Sequence, residues 1–193
     1  MSIHHCQPRP DKKLEPHDEA RPRSPWSVEV SIFKEYKVET PQLINECFEY
    51  DWNELKVPKL KGTTERDLKE RVRHQYPFIR ELYRRLSGTA IKSSTLAIGW
   101  NVFRDFMIST LDITSDGKLK REDCDRLFIA VNASSKGKQD KSENNPDKSL
   151  CRHEFVEILI RSAVKRYCEN GDTENEGNAV DKLWNDYLHP HQN

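Results

Sequence analysis

The sequence predicts an all-α fold with an extended, partly disordered N-terminal arm. Three observations support this prediction. Apolar residues recur at helical spacing in several segments between residues 78 and 188. Thr40-Pro41 is typical of a helix N-cap followed by proline at the first helical position. Prolines stand among charges and almost no apolar side chains before residue 26, at Pro8, Pro10, Pro16, Pro22 and Pro25, which favours an extended or polyproline-like tail.

The composition limits the possible classes of protein. Of the 193 residues 33% are charged and only 35% hydrophobic, so we do not expect the chain to be packed throughout. The 32 basic and 32 acidic residues cancel, which provides no overall field to attract nucleic acid or a membrane surface. No apolar run approaches the roughly 20 residues of a membrane span. Five scattered cysteines and an N-terminus without a secretory signal predict an intracellular setting, the cytoplasm or cytoskeleton.

The pattern along the chain divides it into four parts. Residues 1–25 are the proline-rich tail. Residues 26–62 combine an extended anchor segment with a helix from Pro41 to about Glu54. Alternating Val28, Val30 and Ile32 in the anchor segment fit either a short strand or plain extended chain. Residues 63–171 are the main helical domain, and residues 172–193 carry an amphipathic C-terminal helix.

Apolar spacing predicts the helices of the main domain and their ends. Thr64 caps a charged helix, Pro77 kinks or restarts it, and Ser87-Gly88 ends it. The later helices are predicted at Ser94 to Leu111, from the end of an acidic loop to about Asn132, at Cys151 to about Cys168, and at Ala179 to Leu188. The polar residues between 133 and 149 predict an exposed loop.

An acidic loop at residues 112–123 separates two of these helices. Gly117 stands at its sixth position, where the backbone must turn sharply with a positive φ. Leu119, at position eight, is expected to point into the core between paired loops. The residues at the ligand positions of such a loop are Asp112, Thr114, Asp116, Lys118 and Asp123.

A second loop of the same length fits residues 143–154. Leu150 occupies its apolar eighth position, but Lys148 replaces the glycine. Its candidate ligands are Glu143, Asn145, Asp147, Ser149 and Glu154.

With these loops, residues from about 94 to 168 resemble an EF-hand pair of the calmodulin superfamily in which both loops are degenerate. The segments Ile98–Phe103 and Asn145–Phe155 are similar to EF-hand-like modules in proteins of cilia and flagella. The resemblance implies paired helix–loop–helix units. It also implies a setting in the ciliary axoneme, with tubulin or other axonemal proteins as partners.

The ligand chemistry of the first loop argues against strong metal binding. Ca²⁺ requires six to eight oxygens, including a bidentate carboxylate at the last position. Asp123 is one methylene shorter than the glutamate usual there and suits the smaller Mg²⁺ better. Lys118, Lys120 and Arg121 oppose any cation. We therefore expect no cofactor, or weakly bound Ca²⁺ or Mg²⁺, at the first loop, and interpret the second as a solvated polar loop.

No catalytic motif is visible in the sequence. A glycine-rich phosphate loop, HExxH and GxSxG are all missing. Cys151 and His153 are two residues apart, and within a helix such residues do not face one another, which argues against a catalytic pair. The sequence therefore predicts that the protein is not an enzyme.

Aromatic and apolar residues provide candidates for partner binding. The C-terminal stripe of Val180, Leu183, Trp184, Tyr187 and Leu188 either folds back into the groove of the chain's own helices or docks on a partner. Trp26 and Trp52 are candidate anchors in the anchor segment and its helix.

These observations favour a non-enzymatic structural or scaffolding protein that binds protein partners in a larger assembly, with the cilium or flagellum as its setting. Neither nucleic acid nor a membrane is an expected partner. The alternative is a calcium- or magnesium-responsive regulatory sensor, which would need complete ligand sets and would open on binding. An enzyme is the third possibility.

Overall fold

The computed structural model describes residues 27, 39–56, 59–88, 97–134 and 149–191, and residues from Glu39 onward belong to one compact unit. The tail, the alternating segment at 28–32 and Trp26 lie outside the described residues. The predicted all-α class is confirmed, because nearly all regular structure in the described residues is helical. The elements are α1 (Pro41–Glu54), α2 (Glu65–Gly88), β1 (Ile98–Gly99), α3 (Trp100–Asp105, then a π-helical turn Phe106–Thr110), α4 (Arg121–Ser134), β2 (Ser149–Leu150), α5 (Arg152–Ala163, then Val164–Cys168 as a π-helical turn), and α6 (Glu176–Leu183, then the π-helical turn Trp184–Leu188 and the 3-10 turn His189–His191).

The first two helices begin at the caps that the sequence predicts. The Leu43 backbone N–H donates to Thr40 Oγ1 at 3.1 Å, with Pro41 in the first turn. In the same way the Asp67 N–H donates to Thr64 Oγ1 at 3.2 Å. Helix α2 then continues through Pro77 without restarting. Tertiary packing overrides the local preference here, because apolar residues on both sides of Pro77 are buried in the same core.

A short antiparallel ladder joins two pairs of helices. Ile98 pairs with Leu150 and Gly99 with Ser149, so that α2 and α3 flank one strand while α4 and α5 flank the other. The prediction of a helix through this segment is therefore wrong at Ile98 and Gly99, which form β1. Ile98 is fully buried in the ladder, and α3 begins only after Gly99. A cross-strand partner outweighs helical apolar spacing at this point.

Residues 112–120 of the predicted acidic loop lie between α3 and α4 and connect the two helix pairs, whereas residues 121–123 form the first turn of α4. Leu119 is fully buried as expected, but the ladder residue opposite Leu150 is Ile98, which corrects the predicted pairing of the loops. Gly117 has the predicted positive φ, +73°. Asp112 has φ +51°, and aspartate is among the few residues that tolerate this region.

The C-terminal helix folds back onto the chain's own core. Trp184 is 4% exposed and packs edge-to-face on Phe78, with ring centroids 5.1 Å apart. Its stripe faces α2 and α5 across an apolar seam lined by residues such as Ile79 and Leu159. This contradicts the use of the stripe as an external anchor, because Val180, Leu183, Trp184 and Leu188 are buried and Tyr187 is partly buried against the core.

Helix α1 also contributes to this core. Trp52 is buried beside Phe48, whose ring in turn packs edge-to-face on Tyr76 at 5.2 Å. The prediction of Trp52 as a partner anchor is therefore wrong, since its indole is already covered and Lys69 Nζ lies 5.9 Å from the centre of its ring. The apolar face of a short helix is most readily buried within its own domain.

A buried carboxylate ties the segment before α2 to the start of α6. Glu176 accepts backbone N–H donors from Lys61 at 2.7 Å and from Gly62 and Thr63 at 3.2 Å. Burial alone raises the pKa of Glu176, but these donors outweigh it and leave the pKa below its ordinary value. Gly62 permits the close approach, because a Cβ there would lie 2.8 Å from Asn175 Cβ.

Among the helices that the structure describes, none combines the length and the apolar character needed to cross a membrane.

Candidate functional site

The carboxylate of Asp116, a predicted metal ligand, is occupied by an arginine. Arg166 Nη1 donates to Asp116 Oδ1 at 2.8 Å and Nη2 donates to Oδ2 at 2.7 Å, a bidentate pair. The Arg166 residue is only 3% exposed, and Nη1 also donates to the Ile113 carbonyl at 2.8 Å. The guanidinium lowers the pKa of Asp116 below its usual range. The protein thus supplies its own cation to the acidic loop.

The other predicted ligands of this loop are directed elsewhere. Asp123 Oδ2 accepts the Lys120 backbone N–H at 3.0 Å and so caps α4. Lys118 Nζ forms an ion pair with Asp172 at 2.6 Å. Because Asp116 and Asp123 have these partners, the set Asp112, Thr114, Asp116, Lys118 and Asp123 does not fit a Ca²⁺ or Mg²⁺ ion in this conformation.

The second predicted loop is described only at its end. Glu143, Asn145 and Asp147 lie outside the described residues. Ser149 is in β2, where its carbonyl accepts the side-chain amide of Asn132 at 3.1 Å. Glu154 lies in the first turn of α5, and its Oε2 accepts the Cys151 backbone N–H at 2.9 Å.

Cys151 and His153 are brought together, contrary to the sequence prediction. Cys151 Sγ lies 3.3 Å from His153 Nδ1 and 3.5 Å from Nε2. Cys151 is the N-cap of α5, with extended φ and ψ of −77° and 176°, so the helical rule for residues two apart does not apply to it. With Glu154 these side chains form the group positioned to hold a metal among the described residues, with all ligand atoms within 4.8 Å of one another.

The cysteine of this cluster lacks the properties of a nucleophile. Burial raises the pKa of the Cys151 thiol far above its ordinary value, and the neighbouring Glu154 carboxylate raises it further. A reactive cysteine requires a lowered pKa, so that the thiolate is present near neutral pH. The close contact with His153 therefore does not support thiol catalysis.

A buried ionic network next to the cluster was not predicted. Arg152 Nη2 donates to Asp51 Oδ1 at 3.0 Å and Nε to Oδ2 at 2.5 Å, while the Tyr76 hydroxyl donates to Oδ2 at 2.5 Å. Asp51 is 2% exposed, and its carboxylate joins α1, α2 and α5. No local pattern could indicate this network, because Asp51 and Arg152 are 101 residues apart.

We compared the chain with known proteins. No family model, curated protein or solved structure matches the chain. A proposal about function therefore has to be built on the geometry. Its three main features are an acidic loop whose Asp116 pairs with Arg166, a Cys/His/Glu cluster at the start of α5, and apolar helix faces covered by the chain's own α1 and α6.

Proposed function

We propose that this chain is a non-enzymatic structural or scaffolding protein built on an EF-hand-like pair whose two units are α2–α3 and α4–α5. The support is the antiparallel ladder between Ile98 and Leu150, which lies between the two helix pairs. This assignment keeps Leu150 at position eight of a loop at 143–154. It moves the first loop from 112–123 to the connection between α2 and α3.

Moving the first loop to the connection between α2 and α3 leaves it without acidic ligands. With Ile98 at position eight, the loop spans residues 91–102 of the sequence. Ile91, Ser93 and Thr95 then occupy positions one, three and five, and Val102 takes the place of the bidentate carboxylate. A loop with these residues is suited to shaping the pair rather than to sensing calcium.

The single observation that carries the structural proposal is the burial of Trp184. A calcium sensor exposes an apolar groove when it binds its ion and presents that groove to a target. Here α6 fills the seam between α2 and α5, and opening would expose Trp184 and Leu183 to water. The closed arrangement favours a scaffold of fixed shape over a regulatory sensor.

The proposed setting is the ciliary axoneme, with tubulin or other axonemal proteins as partners. Support comes from the resemblance of Ile98–Phe103 and Asn145–Phe155 to modules of ciliary proteins. Since the C-terminal stripe is covered, the proline-rich tail at residues 1–25 and Trp26 are the remaining segments proposed to contact the partner. Tyr50 and Ile129 are large apolar side chains that the structure leaves exposed on the helical unit.

Fractionation of ciliated cells tests this proposal. The tagged full-length chain is expected to remain with axonemes after detergent removes the membranes, and to be released by high salt. A variant lacking residues 1–38, which keeps the compact unit, is the matched comparison, and we expect it to be released by detergent alone. Release of the full-length chain by detergent alone, together with the soluble cell contents, would contradict the axonemal setting.

Calorimetry with Ca²⁺ and Mg²⁺ separates the scaffold from the sensor. We expect no binding heat at micromolar Ca²⁺, because Arg166 holds Asp116 and because Lys148 replaces the glycine at position six of the loop at 143–154. Asp112→Asn and Asp116→Asn are the variants for comparison. Micromolar Ca²⁺ binding by the unchanged chain that either substitution abolishes would favour the sensor.

A further inference from the structure

We propose that Cys151, His153 and Glu154 bind a divalent transition metal of borderline softness, Zn²⁺ being the best match, at the N-terminal end of α5. This inference is separate from the scaffold and from the predicted calcium chemistry. Thiolate and imidazole are ligands of zinc, whereas Ca²⁺ and Mg²⁺ would find an oxygen ligand in this set only at Glu154.

The separations between ligand atoms suit a shared ion. Tetrahedral Zn²⁺ with bonds of about 2.3 Å to sulfur and 2.0 Å to nitrogen places these two atoms about 3.5 Å apart. Cys151 Sγ lies 3.3 and 3.5 Å from the two ring nitrogens of His153. A neutral imidazole has one unprotonated nitrogen available to a metal, and in either tautomer this nitrogen lies within 3.5 Å of the sulfur. All the ligand atoms lie within 4.8 Å of one another, so small side-chain rotations complete a three-ligand set.

The surroundings orient one of the ligands before an ion arrives. Glu154 is 1% exposed, and its hydrogen bond to the Cys151 N–H fixes its carboxylate beside the sulfur. Cys151 and His153 are partly exposed, which gives an ion a path from solvent and leaves room for water as the fourth ligand.

The charge balance is also favourable. Binding forms a metal–sulfur bond and releases the thiol proton of Cys151 to the buffer. The resulting thiolate and the Glu154 carboxylate together neutralise the two charges of Zn²⁺. The neighbouring Arg152 does not oppose the ion as an isolated cation, because Asp51 accepts two of its hydrogen bonds.

A purely structural role for the cluster has to be distinguished from metal binding. Cys151 and Glu154 form a reciprocal capping box, which accounts for the carboxylate without any ion. Capping does not require a histidine at position 153. Substitutions that keep the cap but remove a ligand can therefore separate the two roles.

Titration of the full-length chain with Co²⁺, a coloured substitute for Zn²⁺, tests the proposal. We expect a thiolate-to-cobalt charge-transfer band with tetrahedral d–d absorption, release of about one proton per ion, and bleaching by Zn²⁺. Cys151→Ser keeps a favoured N-cap, Glu154→Gln keeps the capping box, and His153→Ala removes only the imidazole. Cys151→Ser should abolish the charge-transfer band, and each of the other two should weaken Co²⁺ binding at least about tenfold while the helical circular dichroism is unchanged.

Two matched controls test whether Cys168 or Cys6 accounts for the band. Cys168 is a partly buried cysteine that contacts Thr173, so Cys168→Ser should leave the titration unchanged. His4, His5 and Cys6 carry similar ligand types in the sequence, and Cys6→Ser is expected to have no effect on the band. Absence of the band in the unchanged chain, its persistence in Cys151→Ser, or its loss in Cys6→Ser would overturn the proposal.

Discussion

Trp184→Ala is expected to lower the free energy of unfolding by about 3–5 kcal/mol, the range for truncating a large aromatic in a core. The indole is 4% exposed and packs on Phe78, and neighbouring side chains of α2 and α5 cannot fully refill its volume. For a unit of this size about 2–4 °C are lost per kcal/mol, so the melting temperature should fall by roughly 10 °C. Denaturant unfolding and calorimetry of the full-length chain measure both quantities.

Tyr50→Ala is the matched control, because this aromatic side chain is 65% exposed. A change within about 0.5 kcal/mol is expected there, as for most surface substitutions. If Trp184→Ala were equally mild, α6 would not be held against the core in solution. The stripe would then again be available for a partner.

Asp51→Ala has the second largest expected effect, a loss of about 3 kcal/mol. Removing the carboxylate leaves the Arg152 guanidinium and the buried Tyr76 hydroxyl without their partner. Breaking a buried ion pair costs about 3–5 kcal/mol, and the lower end applies because the Arg152 side chain retains 29% exposure. Urea unfolding monitored by circular dichroism measures the loss. Adding Arg152→Ala in a double-mutant cycle gives the coupling between the two side chains.

The control for this network is Glu49→Ala. Glu49 forms ion pairs with Lys69 and Arg73 at the surface, where its side chain is 38% exposed. Exposed pairs of this kind contribute about 0–1 kcal/mol, so a small effect is expected. Equal losses in Asp51→Ala and Glu49→Ala would show that the buried network does not hold α1 in place.

Local signals were sufficient to predict most of the helices. The cap at Thr40 and the apolar spacing of α5 depend only on neighbours within one or two turns, and the structure places both helices close to their predicted ends. The strand at Ile98 was missed because its partner, Leu150, is distant in sequence. An isolated pair of strand residues inside a helical apolar pattern leaves no local signal.

The candidate sites were harder to predict, for two different reasons. Arg166 lies 50 residues from Asp116, and only the folded arrangement brings its guanidinium into the acidic loop. The contact between Cys151 and His153 was missed because a helix boundary shifted by one residue changes the direction of a side chain. Cys151 at the N-cap has an extended backbone, and so it faces a residue that it would not face inside the helix.

The bidentate pair between Arg166 and Asp116 has a consequence for how the acidic loop behaves in a cell. A metal ion dissociates, and its occupancy follows its concentration outside the protein. The guanidinium is tethered to the same polypeptide, so its effective concentration at the loop is constant. The conformation of the connection between α3 and α4 is therefore expected to stay the same when the calcium concentration in the cell rises and falls. A structural unit with this internal counterion keeps its shape under such changes.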